Sequence, residues 1–274
     1  MPLERILEAY LLTLSVPLKP GSIHRLYPGP EFEIRLVEFI SAEEALAMAY
    51  ERGAKLARGE TDVKHLGLGR IIERALLKAY ELTETIPLTG MIAALVPLSA
   101  ALGYYDSSSG INPLDSLRRI VALYMHASPP SDAVRLLSAL EAVGDRDLVL
   151  FLDREGISRR KIEASSMSIG DIYEILYSVD RGFIIHLRGL SRLVELYHRV
   201  KSSGNALEGI MNAYLDILEK EGNTKVPRPL SARSLAKLDR EISDRRHNRL
   251  LGAVAAAMGL ALFEEPPLLP GTTS

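Results

Sequence analysis

Apolar residues recur at α-helical spacing along nearly the whole chain, and no other feature narrows its fold so far. Leu3, Ile6, Leu7, Tyr10, Leu11 and Leu14 follow i, i+3, i+4, i+7, i+8, i+11, the stripe that one face of a 3.6-residue helix buries. Leu207, Ile210, Met211, Tyr214, Leu215 and Leu218 repeat that spacing, and Ile172, Ile175, Leu176 and Val179 do so again. Phe183, Leu187, Leu190, Val194 and Tyr197 predict a further helix. Start signals agree with the stripes. Ser41-Ala-Glu-Glu44 reads as a capping box opening a helix that runs to about Ala57, and Ser168-Ile-Gly-Asp171 as a weaker one.

Proline and glycine punctuate the pattern at Pro17–Pro30, Ser107–Pro113, Ser128–Ser131 and Gly222–Pro229. Two segments have strand character: Phe32, Ile34 and Leu36 alternate, and Leu148–Leu152 is a short apolar run. Two such pieces do not build a sheet. The stretch Thr85–Tyr105 carries no charge but contains Pro87, Thr89, Gly90, Pro97 and Ser99, whereas a bilayer span needs about 20 predominantly apolar residues. It reads as a buried central helix, as does the Ala- and Gly-rich Leu250–Phe263. The expected architecture is all-α: a single domain over residues 1–274, of roughly a dozen helices around buried central ones, with a frayed tail at 264–274.

Composition excludes several function classes. The 274 residues are 47% hydrophobic and 25% charged with a net charge of −2, which argues against a general nucleic-acid or anionic-membrane binder. With no cysteine, disulfides, thiol catalysis and thiolate metal sites are out. The lack of both cysteine and glutamine suits a thermophilic source. Met1–Leu7 follows an amphipathic pattern rather than that of a secretory signal, so a cytoplasmic location is expected. No Gly-rich phosphate loop, dinucleotide fingerprint or nucleophile elbow is present, and no two of the six histidines are spaced as H-x-x-x-H. The sequence sets no oligomeric state.

The loop Lys19-Pro-Gly-Ser-Ile-His24-Arg25 is the most suggestive polar segment. It gathers three potential cations beside backbone freed by Pro20 and Gly21. Arginine grips two phosphate oxygens at once and lysine acts as a point charge, so the loop suits a polyphosphate. An ordinary Pro-Gly turn with solvated cations is the alternative.

This Lys-Pro-Gly-x-x-His-Arg segment after an amphipathic helix resembles the archaeal branch of the triphosphoribosyl-dephospho-CoA synthase family. Further matches run along the chain. Glu31-Phe32-Glu33 stands where that family has Asp-Phe-x-Asp, followed by Phe39 and Ser41-Ala42. Gly90 with Pro97-Leu98-Ser-Ala100 resembles a central Gly…Pro-Leu-x-x-Ala helix, and Ser131-Asp132-Ala133-Val134, with Gly144 after it, an Asp-Ala-Val segment. Asp180 with Gly182-Phe183 and Thr224 with Arg228 match two later segments. The departures are polar. The family's Asn-Thr-Asn-Leu-Gly is here Ile86-Pro87-Leu88-Thr89-Gly90, and an expected aspartate is Asn223. Its Asn-Pro-Gly-Thr-Thr-Ala-Asp is reduced to Asn248, with Val254 at the acid.

The resemblance implies a reaction in which the ribose 2′-hydroxyl of dephospho-CoA attacks the anomeric carbon of ATP. Adenine leaves and the triphosphate stays attached. It implies that Lys19, Gly21, His24 and Arg25, with Gly90 and Arg228, bind the nucleotide. Glu31, Glu33 and Asp180 would be the catalytic carboxylates, with Glu31 and Glu33 also holding Mg2+. The readings from the residues alone stay beside these: a solvated acidic edge for Glu31 and Glu33, and helix capping for Asp180. The departures leave a second function open, a non-catalytic family member that binds a nucleotide or a protein partner on the same scaffold.

Overall fold

A computed structural model describes residues 2–16, 19, 20, 22, 29–221, 224–228, 230–242 and 246–264. Among these residues there are thirteen α-helices and no strand. They are α1 (Pro2–Ser15), α2 (Gly29–Ala57), α3 (Leu68–Thr83), α4 (Thr89–Asp106), α5 (Pro113–Ile120), α6 (Pro130–Ala142) and α7 (Arg146–Arg154). There follow α8 (Arg159–Ala164), α9 (Ile169–Leu176), α10 (Leu190–Lys201), α11 (Ala206–Glu221), α12 (Ala232–Glu241) and α13 (Leu251–Glu264). The all-α expectation holds.

Helix α4 is the axle of the fold. It is buried from Thr89 to Gly103 and is embraced by α2, α3, α5 and α13. An all-apolar helix has no face to offer water, so it must sit inside a shell of amphipathic ones. Helix α13, buried from Leu251 to Leu262, is the second inner helix and lies against α4, α1, α10 and α11. No helix of the described residues is long and apolar enough to cross a membrane.

Several local readings need correction. Ser41 does not open a helix: α2 begins at Gly29, and the Ser41 hydroxyl donates back to the Glu38 carbonyl at 2.6 Å. Phe32, Ile34 and Leu36 therefore lie in α2, where Phe32 and Phe39, seven residues apart, pack against the core. Helical spacing outweighs their brief alternation, and among the described residues no second strand exists to pair with them. Leu148–Leu152 is helical too, in α7, with Leu148 and Leu152 buried on one side. The stripe from Phe183 to Tyr197 is interrupted. Arg181–Ile184 is a 3-10 turn, Leu187 is half exposed, and α10 starts at Leu190. The Ser168 start is a full capping box with Asp171. Of the tail, residues 265–274 lie outside the described residues.

Lys19 is buried, and its ammonium donates to the carbonyls of Thr13 (2.7 Å) and Leu14 (3.2 Å) in the last turn of α1. It thus closes carbonyls that a helix terminus leaves without intrahelical partners. Burial lowers its pKa from 10.5 to about 7. Lys19→Met should cost about 2 kcal/mol by stranding two buried acceptors, or roughly 4–8 °C in a thermal melt at about 2–4 °C per kcal/mol. Because the folded pKa lies below the unfolded one, the wild type gains stability as pH rises from about 7 toward 10.5. The loss caused by Lys19→Met should therefore be larger at pH 9 than at pH 6.5, and an equal loss at both would contradict this account.

Candidate active-site cleft

Three glycines bring distant parts of the chain into backbone contact. A Cβ at Gly182 would lie 2.2 Å from the Gly90 carbonyl oxygen, and one at Gly252 would lie 2.4 Å from that same oxygen. Only hydrogen fits at either position, so the 3-10 turn and α13 press directly onto the first turn of α4. The residue before the turn is Asp180. A Cβ at Gly90 would lie 2.2 Å from its Oδ1, so that carboxylate rests on the α4 backbone.

Beside this junction lies a cleft of about 770 Å³ into which five pieces of chain project. Helix α2 contributes Arg35, the entry to α4 contributes Ile86–Met91, and the entry to α7 contributes Gly144–Asp147. Asp180 and the pair Asn248–Arg249 complete it. Two helix N-termini, those of α4 and α7, thus face one space, each with the positive end of its dipole.

The polar groups are held by local structure. Asp145 is the N-cap of α7: its Oδ1 accepts the Leu148 N–H, and its Oδ2 accepts the Thr89 hydroxyl at 3.0 Å. Glu38, fully buried behind the cleft, accepts the Leu88 N–H at 2.7 Å and Arg35 Nη1 at 2.6 Å. The same Nη1 donates to the Ile86 carbonyl at 2.9 Å. This pair pins the loop that enters α4. Asp180 accepts the Gly182 N–H on Oδ1 at 2.8 Å, and among the described residues no hydrogen bond reaches its Oδ2. Arg249 Nη2 reaches across the cleft to Asp147 Oδ2 at 2.8 Å.

Burial sets the electrostatics. It raises the carboxyl pKa of Asp145 and of Glu38, partly countered by Thr89 and Arg249 at the first and by Arg35 at the second. Asp180 is raised from 3.8 to about 7, chiefly by burial, with the Gly182 N–H and Arg249 pulling down and Asp145 pushing up. A buried carboxyl titrating near neutrality beside arginines and helix N-termini is an arrangement that marks functional clefts. It can hold an anionic polyphosphate and move a proton.

Of the residues expected from sequence, the structure brings Asp180 and Gly90 together in this cleft. Asp180 also caps the turn that follows it, as its local sequence suggested. Lys19 does not line the cleft, because its ammonium is consumed by the end of α1. Glu33 is exposed on α2 and does not line it either. Arg228 is on the surface beside Glu219, at 3.4 Å. Gly21, His24, Arg25 and the Glu31 side chain lie outside the described residues. Sequence reasoning missed Arg35, Glu38, Asp145, Asp147 and Arg249. The Gly144-Asp145 pair, a helix stop followed by an N-cap residue, was the one local signal among them.

The order and spacing of the sequence motifs have a counterpart among known sequences. No curated protein and no solved structure matches the chain. The profile of the ATP:dephospho-CoA triphosphoribosyl transferase family does match it, over residues 3–265. This bears out the resemblance read from the loop and helix motifs: the chain belongs to the ATP:dephospho-CoA triphosphoribosyl transferase family.

Proposed function

We propose that the cleft transfers the triphosphoribosyl group of ATP to an acceptor hydroxyl, dephospho-CoA being the acceptor the family uses. The observation that carries this is Asp180, a buried carboxyl raised to about 7 that lines the cleft and whose Oδ2 accepts no hydrogen bond from the described residues. A base is most effective when its pKa lies near the working pH. Asp180 takes the proton of the attacking 2′-hydroxyl as the new C–O bond forms at the anomeric carbon. The C–N bond to adenine breaks, its electrons go to the base, and adenine takes a proton from solvent. The anomeric centre carries oxocarbenium character as it passes between partners, so a nearby carboxylate also steadies the developing positive charge. The cleft arginines and the N-termini of α4 and α7 hold the triphosphate.

The magnesium implied by the family resemblance would take few ligands from the described residues. Among the described residues no group of three His, Asp or Glu side chains is placed to hold a metal. Magnesium is commonly held by one or two carboxylates together with substrate phosphates. The hard oxygens of Asp145 and Thr89, 3.0 Å apart at the meeting of two helix N-termini, fit that role. When bound, the ion would neutralise triphosphate charge.

A second reading has its own support. Val254, at the position of the family's acid, is fully buried in α13, so no side chain there reaches solvent. Ile86 and Leu88 replace amides at the cleft. These losses favour a protein that binds the nucleotide without transferring it. Chromatography of ATP incubated with the protein and magnesium, with and without dephospho-CoA, separates the two. Acceptor-dependent adenine supports transfer. Saturable ATP binding without adenine supports the second reading, and neither adenine nor binding ends both.

A further inference from the structure

Arg249 follows Asn248 directly, so its guanidinium stands where the family pattern Asn-Pro-Gly-Thr-Thr-Ala-Asp has proline. Against that pattern, Ile86 and Leu88 stand at the cleft where it has amides, and Arg249 adds a cation to the same lining. We propose that Arg249 is the residue by which this chain grips the triphosphate, and that its ion pair with Asp147 is a resting contact which the triphosphate replaces. The inference rests on the nucleotide reading of the cleft and deepens it by naming what holds the polyphosphate.

The geometry supports the exchange. Arg249 comes from the segment entering α13 and Asp147 from the first turn of α7, so their 2.8 Å contact spans the cleft. The Asp147 side chain is 76% exposed and that of Arg249 is 29% exposed. A pair so open to water is held weakly, and a polyphosphate offers the guanidinium two oxygens of higher charge. Arg249 lines the same cleft as the two buried carboxylates, Asp145 and Asp180. Arg35 is less free to change partners, because Glu38 and the Ile86 carbonyl already engage it. Asp147 is then a competitor for Arg249 as well as a neighbour, and removing it should help the ligand.

Calorimetric titration of ATP and of inorganic tripolyphosphate into the wild type, Arg249→Ala, Arg249→Lys and Asp147→Asn tests this, at constant magnesium and salt. Arg249→Ala should weaken both ligands at least tenfold, with Arg249→Lys in between because an ammonium cannot take two oxygens in a fork. Asp147→Asn should tighten both about threefold or more, the opposite sign. A merely structural ion pair would not give opposite signs from its two halves. Arg249→Ala binding within twofold of wild type, weaker binding by Asp147→Asn, or no tripolyphosphate binding by the wild type would each overturn the inference. Its failure is distinct from that of the transfer reading. Adenine release with an unaffected Arg249→Ala sinks only the grip, whereas opposite signs without adenine release sink only the transfer.

Discussion

Gly90→Ala should leave a folded protein whose adenine release has fallen about a hundredfold or more. The added Cβ would sit 2.2 Å from Asp180 Oδ1 and 2.6 Å from its Cγ. The carboxylate has nowhere to go: Asp180 is buried and tied to the Gly182 N–H. Nor can α4 retreat, since Gly182 and Gly252 already press on the carbonyl of Gly90. Overpacking of this kind costs about 1–3 kcal/mol, while alanine in place of a helical glycine returns about 1 kcal/mol of propensity. The melt should thus drop by no more than about 8 °C at about 2–4 °C per kcal/mol. Catalysis is less forgiving, because a shift of about 1 Å in a reacting group can cost about a hundredfold in rate. Gly182→Ala is the harsher comparison. Its Cβ would meet Gly90 backbone atoms at 2.2–2.3 Å, with no flexible side chain to yield, so it should destabilise more than Gly90→Ala. Turnover by Gly90→Ala within threefold of wild type would remove Asp180 from the reacting centre.

That junction also shows what the sequence could reveal. The stripes of α1 and α11 and the apolar runs of α4 and α13 were readable because burial imposes a period on them. Local rules failed where a residue's role depends on a distant partner. Ser41 has the spacing of a capping box, yet it lies inside a helix because apolar residues upstream also found the core. Lys19 looks like a solvent cation in a Pro-Gly loop, and nothing in its neighbours announces that two carbonyls of α1 would bury it. The cleft is the extreme case. Gly90, Gly182 and Gly252 meet at the Gly90 carbonyl, and a glycine chosen for a close approach carries no mark distinguishing it from one in a turn. Asp180 and Gly90 were found through family motifs. Arg249 lies in a segment that departs from the family pattern, so resemblance pointed away from it.

Asp180→Asn should abolish most transfer and, at the same time, stabilise the protein above neutral pH. The amide preserves the size of the side chain and keeps an oxygen for the Gly182 N–H, but it cannot accept the acceptor's proton. Loss of a general base costs typically a hundredfold to ten-thousandfold. Wild-type turnover should rise with pH through a midpoint near 7 as the carboxyl ionises, and the residual activity of Asp180→Asn should lack that limb. Stability runs the other way. The folded pKa is raised from 3.8 to about 7, so the native state holds a proton that the unfolded chain releases between those values. The contribution is complete below about pH 4 and is lost as pH rises through 7. At about 1.4 kcal/mol per pKa unit this reaches at most about 4 kcal/mol, the cost of keeping a charged carboxylate away from water where catalysis needs it. A permanently neutral Asn escapes that cost. The melting temperature of Asp180→Asn should exceed that of the wild type at pH 8, and the advantage should vanish near pH 4. A purely structural cap would lose no turnover on this substitution. A carboxylate held charged by a partner would lose stability at pH 8, and either result would contradict the role given to Asp180.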